Sequence, residues 1–149
     1  MDRMYRRVLI TGSQHWTDTT VIRDALAQVW HPDTILMSGA CKRGADRLCE
    51  ECWTHWGGRV DPYPAQWIQD GQYRRDAGYR RNEQMVQAAV DLGAERCLAF
   101  LLDDSPGTTH TIGLARRAGI WTSVHRATTD PAVPDTALFG AGGPVRVGR

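Results

Sequence analysis

The sequence predicts a Rossmann-like α/β domain of three layers, a five-stranded parallel sheet with strand order 3-2-1-4-5 between two layers of helices. Three observations predict it. Aliphatic segments of strand length alternate with segments of helical period, the mark of parallel strands joined by crossover helices. Glycine and hydroxyl residues gather directly after the aliphatic segments, where such a sheet carries its turns. The 149 residues, 42% hydrophobic and 23% charged, suffice for one core and are too few for two ordinary domains.

The first strand is read over Arg7-Val8-Leu9-Ile10-Thr11, and the helix after it over about Asp18 to Trp30, with Val21, Ile22, Ala25, Leu26 and Val29 on one apolar face and Thr17 or Asp18 as cap. Thr34 to Ser38 forms the second strand. A helix follows whose stripe Ala45, Leu48, Cys49, Cys52, Trp56 ends at Gly57-Gly58. Arg59 to Tyr63 is a weaker third strand, and Pro62 suits a sheet edge because proline donates no ladder hydrogen bond. From Ala65 to Tyr79 no period is visible, and this stretch, with Trp67, Tyr73, Arg74, Arg75 and Tyr79, is read as a long loop covering a ligand. A third helix covers about Arg81 to Leu92, with Met85, Val86 and Ala89 inward. Cys97 to Leu102 is the central fourth strand, Thr108 to Ala118 the fourth helix and Ile120 to His125 the fifth strand. Residues 127–149, rich in Pro, Gly and Ala, are read as a flexible tail behind a domain of residues 1–126.

Composition narrows the function. A net charge of +1 does not suit a protein that holds nucleic acid by bulk electrostatics, so a nucleic-acid partner is not expected. No apolar run approaches the roughly 20 residues that cross a bilayer, and the segment after Met1 does not read as a signal peptide, so the expected location is the cytoplasm, with no membrane partner. Four cysteines without signs of secretion do not suggest disulfides. A zinc site on Cys49, Cys52 and His55 lacks a fourth ligand at familiar spacing, so neither a metal nor a cofactor is expected.

Ligands of open parallel sheets bind beyond the carboxyl ends of the strands, where helices diverge and their N-termini face one space. Three turns should meet there: Thr11-Gly12-Ser13, Ser38-Gly39-Ala40 leading through Arg43-Gly44, and Asp103-Asp104 leading to Ser105-Pro106-Gly107-Thr108-Thr109-His110-Thr111. Glycine allows close approach, hydroxyls donate, and free amides at a helix start favour an anion, which together make a phosphate cradle. No Walker A pattern and no complete G-x-G-x-x-G follows a strand, so the cradle is of another type. Asp46 reads equally as an acceptor for ribose hydroxyls or as an acidic residue favouring its helix N-terminus. Trp67 and Tyr79 are candidates to stack on a base, although Trp67 reads as well as core.

At these turns the sequence resembles the SLOG superfamily, in its YspA-like branch of small bacterial and phage proteins. The resembling blocks are Val8 to Ser13 with Trp16, Ser38-Gly39-Ala40 with Arg43-Gly44-Ala45-Asp46-Arg47, Tyr63-Pro64-Ala65 with Trp67, Arg81-Asn82 with Met85-Val86, and Gly107-Thr108 with His110-Thr111-Ile112. The resemblance implies a Rossmann-like fold that binds nucleotides or nucleotide-derived signals, with a homodimer as its expected assembly. Related members similar to the LOG phosphoribohydrolases cut the N-glycosidic bond of a nucleoside monophosphate with an arginine on the third helix and a glutamate in a Gly-Thr-x-x-Glu turn. Arg81 matches the arginine, and Thr111 stands where the glutamate would be. Threonine is no carboxylate base, so the expected activity is binding, with hydrolysis as the alternative and Asp46 or His110 as its candidate proton acceptors.

Overall fold

The computed structural model describes residues 4–129. β1 (Arg7–Gly12) lies at the centre of the sheet, and its interior residues alternate between the two faces. Val8 and Ile10 enter one core cluster and Leu9 the other, all without measurable exposure, which explains why this strand reads as a continuous apolar run. It pairs in parallel with β2 (Ile35–Ser38), which in turn pairs with β3 (Arg59–Pro62). On its other side it pairs with β6 (Arg96–Leu102), and β7 (Trp121–Ala127) closes that edge. The observed order β3-β2-β1-β6-β7 is the order expected from the sequence, with Pro62 on an edge strand.

Helices α1 (Thr19–Ala27) and α2 (Ala45–His55) supply the core on one face, and α3 (Ala77–Asp91) and α4 (Pro106–Arg117) on the other. Asp18 caps α1, its Oδ1 accepting from the Thr20 and Val21 amides at 3.0 and 3.2 Å. The inward line of α2 differs from the stripe read in the sequence. Ala45, Cys49 and Trp53, spaced by four residues, are fully buried, whereas Cys52 and Trp56 are only partly covered.

Three boundaries are corrected. The stretch read as one long loop contains a two-stranded hairpin, β4 (Ile68–Gln69) with β5 (Gln72–Tyr73). Its turn is Asp70-Gly71, both at positive φ (53° and 76°), the twist that two-residue hairpins require. Next, α3 begins a full turn earlier than expected, so Tyr79 stands on a helix rather than on a loop. Finally, α4 starts at Pro106, whose fixed φ and missing N–H suit a first helical turn. At the other end of the domain, β7 includes Ala127, and the Asp103 carboxylate accepts from Thr128 Oγ1, the Thr129 amide and Thr129 Oγ1 at 2.9–3.1 Å. The remainder of the expected tail, residues 130–149, lies outside the described residues.

Candidate functional site

A cleft of about 350 Å³ opens at the carboxyl ends of β1, β2 and β6, between α2 on one side and α3 and α4 on the other. Its floor is Thr11, Gly12 and Ser13. Gly39, Asp46 and the guanidinium of Arg81 lie together on one side, Asn82, Gly107 and Thr108 on another, and the half-exposed Trp67 and Tyr79 complete the lining. All of these were expected from the sequence. Ser38, Arg43, Gly44, Thr109 and His110 do not line the cleft.

The reasons are local. Ser38 is fully buried and works on its own turn: its Oγ donates to Glu50 Oε2 at 2.6 Å and accepts the Ala40 amide at 3.1 Å. Lys42 and Arg43 belong to the turn between Ala40 and Gly44, and Arg43 is exposed outside the lining. Gly44 turns toward the backbone of Gln14 instead of the cavity. Thr109 and His110 lie one step further along α4, in a shallow groove shared with Tyr79, Glu83 and Asp104. There the His110 ring meets Tyr79 edge-on, with centroids 4.7 Å apart.

Gln14 and Cys41 were not expected in the lining, whereas Ser105 stands in the third polar turn and Arg75 in the expected ligand cover without either being singled out as a contact. Ser105 enters because its Oγ shares a 2.6 Å hydrogen bond with Ser13 Oγ, which itself accepts the Leu102 amide at 3.0 Å. This pair ties the β1 turn to the end of β6. Arg75 enters because the hairpin folds back and brings the segment before α3 to the mouth. Gln14 and Cys41 line the wall on the α2 side. The basic and aromatic character of residues 67–79 was the available signal for Arg75, but its direction depended on the hairpin.

The electrostatics are uneven. Nothing caps α4 through a side chain, and among the described residues no backbone acceptor takes the Gly107 or Thr108 amide. These free N–H groups, with the helix dipole behind them, favour an anion at this end. Arg81 is committed elsewhere: its Nη1 donates to the Gly39 carbonyl and, at 3.3 Å, to that of Tyr63, while Nε donates to Asn82 Oδ1 at 2.8 Å. It therefore clamps the β2 turn against α3. Gly39 must be small for this clamp, since a Cβ there would lie 2.8 Å from Arg81 Nη1 and 2.9 Å from Asp46 Oδ2.

Asp46 is 5% exposed, and burial pushes its carboxyl up to about 6, only partly opposed by the Cys41 amide and by Arg81. Burial, and then the nearby Asp46, also pushes the Cys41 thiol up, which keeps it protonated and unreactive at neutral pH. Because the folded-state value of Asp46 lies above the ordinary 3.8, the native state holds that proton more tightly than the unfolded chain. The associated stability is present below about pH 4 and is lost as pH rises through about 6. The displacement corresponds to about 3 kcal/mol, partly offset in an amide variant because a neutral oxygen accepts the Cys41 N–H more weakly. Asp46→Asn is thus expected to raise the unfolding free energy by about 2 kcal/mol at pH 8 and to leave it nearly unchanged at pH 4, as measured by urea denaturation.

Among the described residues there is no cluster of His, Cys, Asp and Glu that could hold a metal ion, and no helix is long and apolar enough to cross a membrane.

The fold and the cleft define a class: a Rossmann-like α/β domain with a cleft at the topological switch of its sheet. The model of the YspA, cpYpsA-related SLOG family matches residues 6–68, the part that carries β1, β2, α2 and the turns between them. Gene 61 protein of Mycobacterium phage D29 is 40% identical over 124 residues, covering 77% of this chain and 92% of that protein. The chain belongs to the YspA-like branch of the SLOG superfamily. Among solved structures, the C-terminal domain of PF1911 hydrogenase from Pyrococcus furiosus aligns with a TM-score of 0.42 at 11% identity, over 83% of this chain and 94% of that one.

Proposed function

We propose that the protein binds a nucleotide or a nucleotide-derived ligand in the cleft at the strand ends. The observation that carries this reading is the meeting, in one cavity, of the free amides at the start of α4, the Arg75 guanidinium and two exposed aromatic rings. The volume of about 350 Å³ lies within the range of small-molecule sites. The phosphate sits on the Gly107 and Thr108 amides with Arg75 above it, and the base reaches the rim, where Trp67 and Tyr79 are 44% and 45% exposed. The Trp67 ring is presented by Tyr73, which stacks behind it at 6.0 Å with planes 10° apart.

Isothermal titration with the four ribonucleoside 5′-monophosphates, NAD and ADP-ribose tests the reading, together with mass spectrometry of small molecules released on denaturing the purified protein. Binding of any of them is the expected result, and no heat at millimolar concentration with no released molecule overturns it. Arg75→Ala is expected to weaken the best of these ligands about tenfold, the loss of one charge-assisted hydrogen bond, without changing the melting temperature of the free protein.

A second reading, cleavage of an N-glycosidic bond, is favoured by Asp46, a buried carboxyl on the cavity wall whose affinity for a proton is raised into the range useful for proton transfer. His110 contributes less to it, standing in the neighbouring groove, and Thr111 is fully buried with its hydroxyl donating to the Gly107 carbonyl at 3.2 Å. Free base released from AMP, NAD or ADP-ribose by the native chain and not by Asp46→Asn would establish cleavage. Binding without release for all three removes it for those substrates.

A further inference from the structure

We infer that the cleft recognises the hydroxyls of its ligand's sugar, and that Asp46 makes this recognition by accepting a hydrogen bond from one of them. The inference rests on the nucleotide-binding reading above and deepens it. Asp46 is nine-tenths buried, on the wall of the cleft, at the start of α2. One carboxylate oxygen, Oδ2, accepts the Cys41 amide at 3.2 Å, and among the described residues nothing donates to Oδ1. Arg81, close by, makes no hydrogen bond to either carboxylate oxygen; its Nε and Nη1 donate to Asn82 Oδ1 and to the Gly39 and Tyr63 carbonyls. An ionised carboxylate only accepts, and Oδ1, which is not among the buried side-chain atoms that lack a partner, is open to the cleft and takes its donor from whatever fills it.

The position of Asp46 says which part of the ligand supplies it. Phosphate offers no donor at neutral pH and belongs at the α4 amides, and a base belongs between the rim aromatics. The sugar lies between them, facing the wall that carries Asp46. Ribose brings two vicinal hydroxyls there, deoxyribose one and dideoxyribose none. A buried polar group left without its partner is the strongest basis for rejecting an analogue that lacks one hydroxyl.

The test compares the tightest of the four ribonucleoside 5′-monophosphates with its 2′,3′-dideoxy counterpart, by calorimetry on the full chain. The expected result is a preference for the ribonucleotide of about 10- to 100-fold, as for a hydrogen bond to a charged group, shrinking to less than threefold in Asp46→Asn. That variant removes a charge whose burial disfavours the folded state, so it is expected to fold. An independent arm needs no variant: the preference should shrink between pH 8 and pH 5 as Asp46 gains a proton. Taking the ratio cancels titration of the ligand phosphate, and the other charged or titratable groups around this carboxyl are Cys41, Cys49, Glu50 and Arg81. Equal binding of the two nucleotides overturns the inference while leaving nucleotide binding intact. A preference that survives both Asp46→Asn and low pH takes the role away from Asp46. If none of the four ribonucleotides binds, this inference falls, and the broader reading then depends on NAD and ADP-ribose.

Discussion

Gly44→Ala is expected to cost about 4 kcal/mol, much of the stability of a domain of this size. Two separate effects add. Gly44 adopts φ 76° and ψ −149°, a region essentially reserved for glycine, and a side chain held there is strained by about 1–3 kcal/mol. A Cβ at this position would also lie 2.3–2.4 Å from the Cα, carbonyl carbon and oxygen of Gln14. Backbone atoms do not swing aside as a long side chain does, so overpacking adds about 1–3 kcal/mol more. The contact sits at the junction that positions Asp46: the Ala45 amide donates to the Ser13 carbonyl at 3.0 Å, and the Gly44 carbonyl accepts from Leu48 at 3.0 Å. Chemical denaturation of Gly44→Ala measures the cost directly. A loss below about 1 kcal/mol would show that the β1 turn and α2 are not seated as closely as described.

Trp53→Ala is expected to cost about 4 kcal/mol, through lost burial and the cavity left behind. The indole is fully buried, lies 4.8 Å from the ring of Trp30 and 6.4 Å from that of Trp56, and donates from Nε1 to the Thr34 carbonyl at 3.3 Å. Removing it leaves that carbonyl without this donor and collapses one end of the core between α2 and β2. Trp56→Ala, at a half-covered position, should cost at least 2 kcal/mol less. The comparison is informative because a helical stripe through Leu48, Cys52 and Trp56 and one through Ala45, Cys49 and Trp53 are both apolar in the sequence. Similar losses in the two variants would contradict the assignment of the inward face.

That pair also shows why some of the site was legible in the sequence and some was not. Central and edge positions followed from chemistry local to each segment: β1 and β6 are apolar on both faces because both are covered, and β3 carries Pro62 because its outer edge has no partner. The turns at Thr11-Gly12-Ser13, at Gly39 and at Gly107-Thr108 could be placed on one rim from strand direction alone, because parallel strands end on the same side. Within those turns, residue type did not reveal direction. Ser13 and Ser38 look alike in the sequence, yet both hydroxyls are spent on holding the scaffold, and only Ser13 also lines the cleft. The hairpin at Asp70-Gly71 did have a readable local signal, the two-residue turn itself, but strands of two residues are too short to show a period.

Read as a string, this chain establishes its class, the rim where its polar turns gather and its kinship with YspA-like proteins, since these depend on periodicity and on short blocks of sequence, while the expected order of its sheet came with the fold class. Folding alone decided that Arg75, and not Arg74 beside it, lines the cleft, that Arg81 is a clamp, that His110 stands outside the cavity and that Asp46 is buried with one oxygen held by the Cys41 amide. Each of these depends on which groups from distant segments occupy the space around a side chain. Burial and hydrogen-bond pairing are properties of that shared space, and a linear pattern does not contain them.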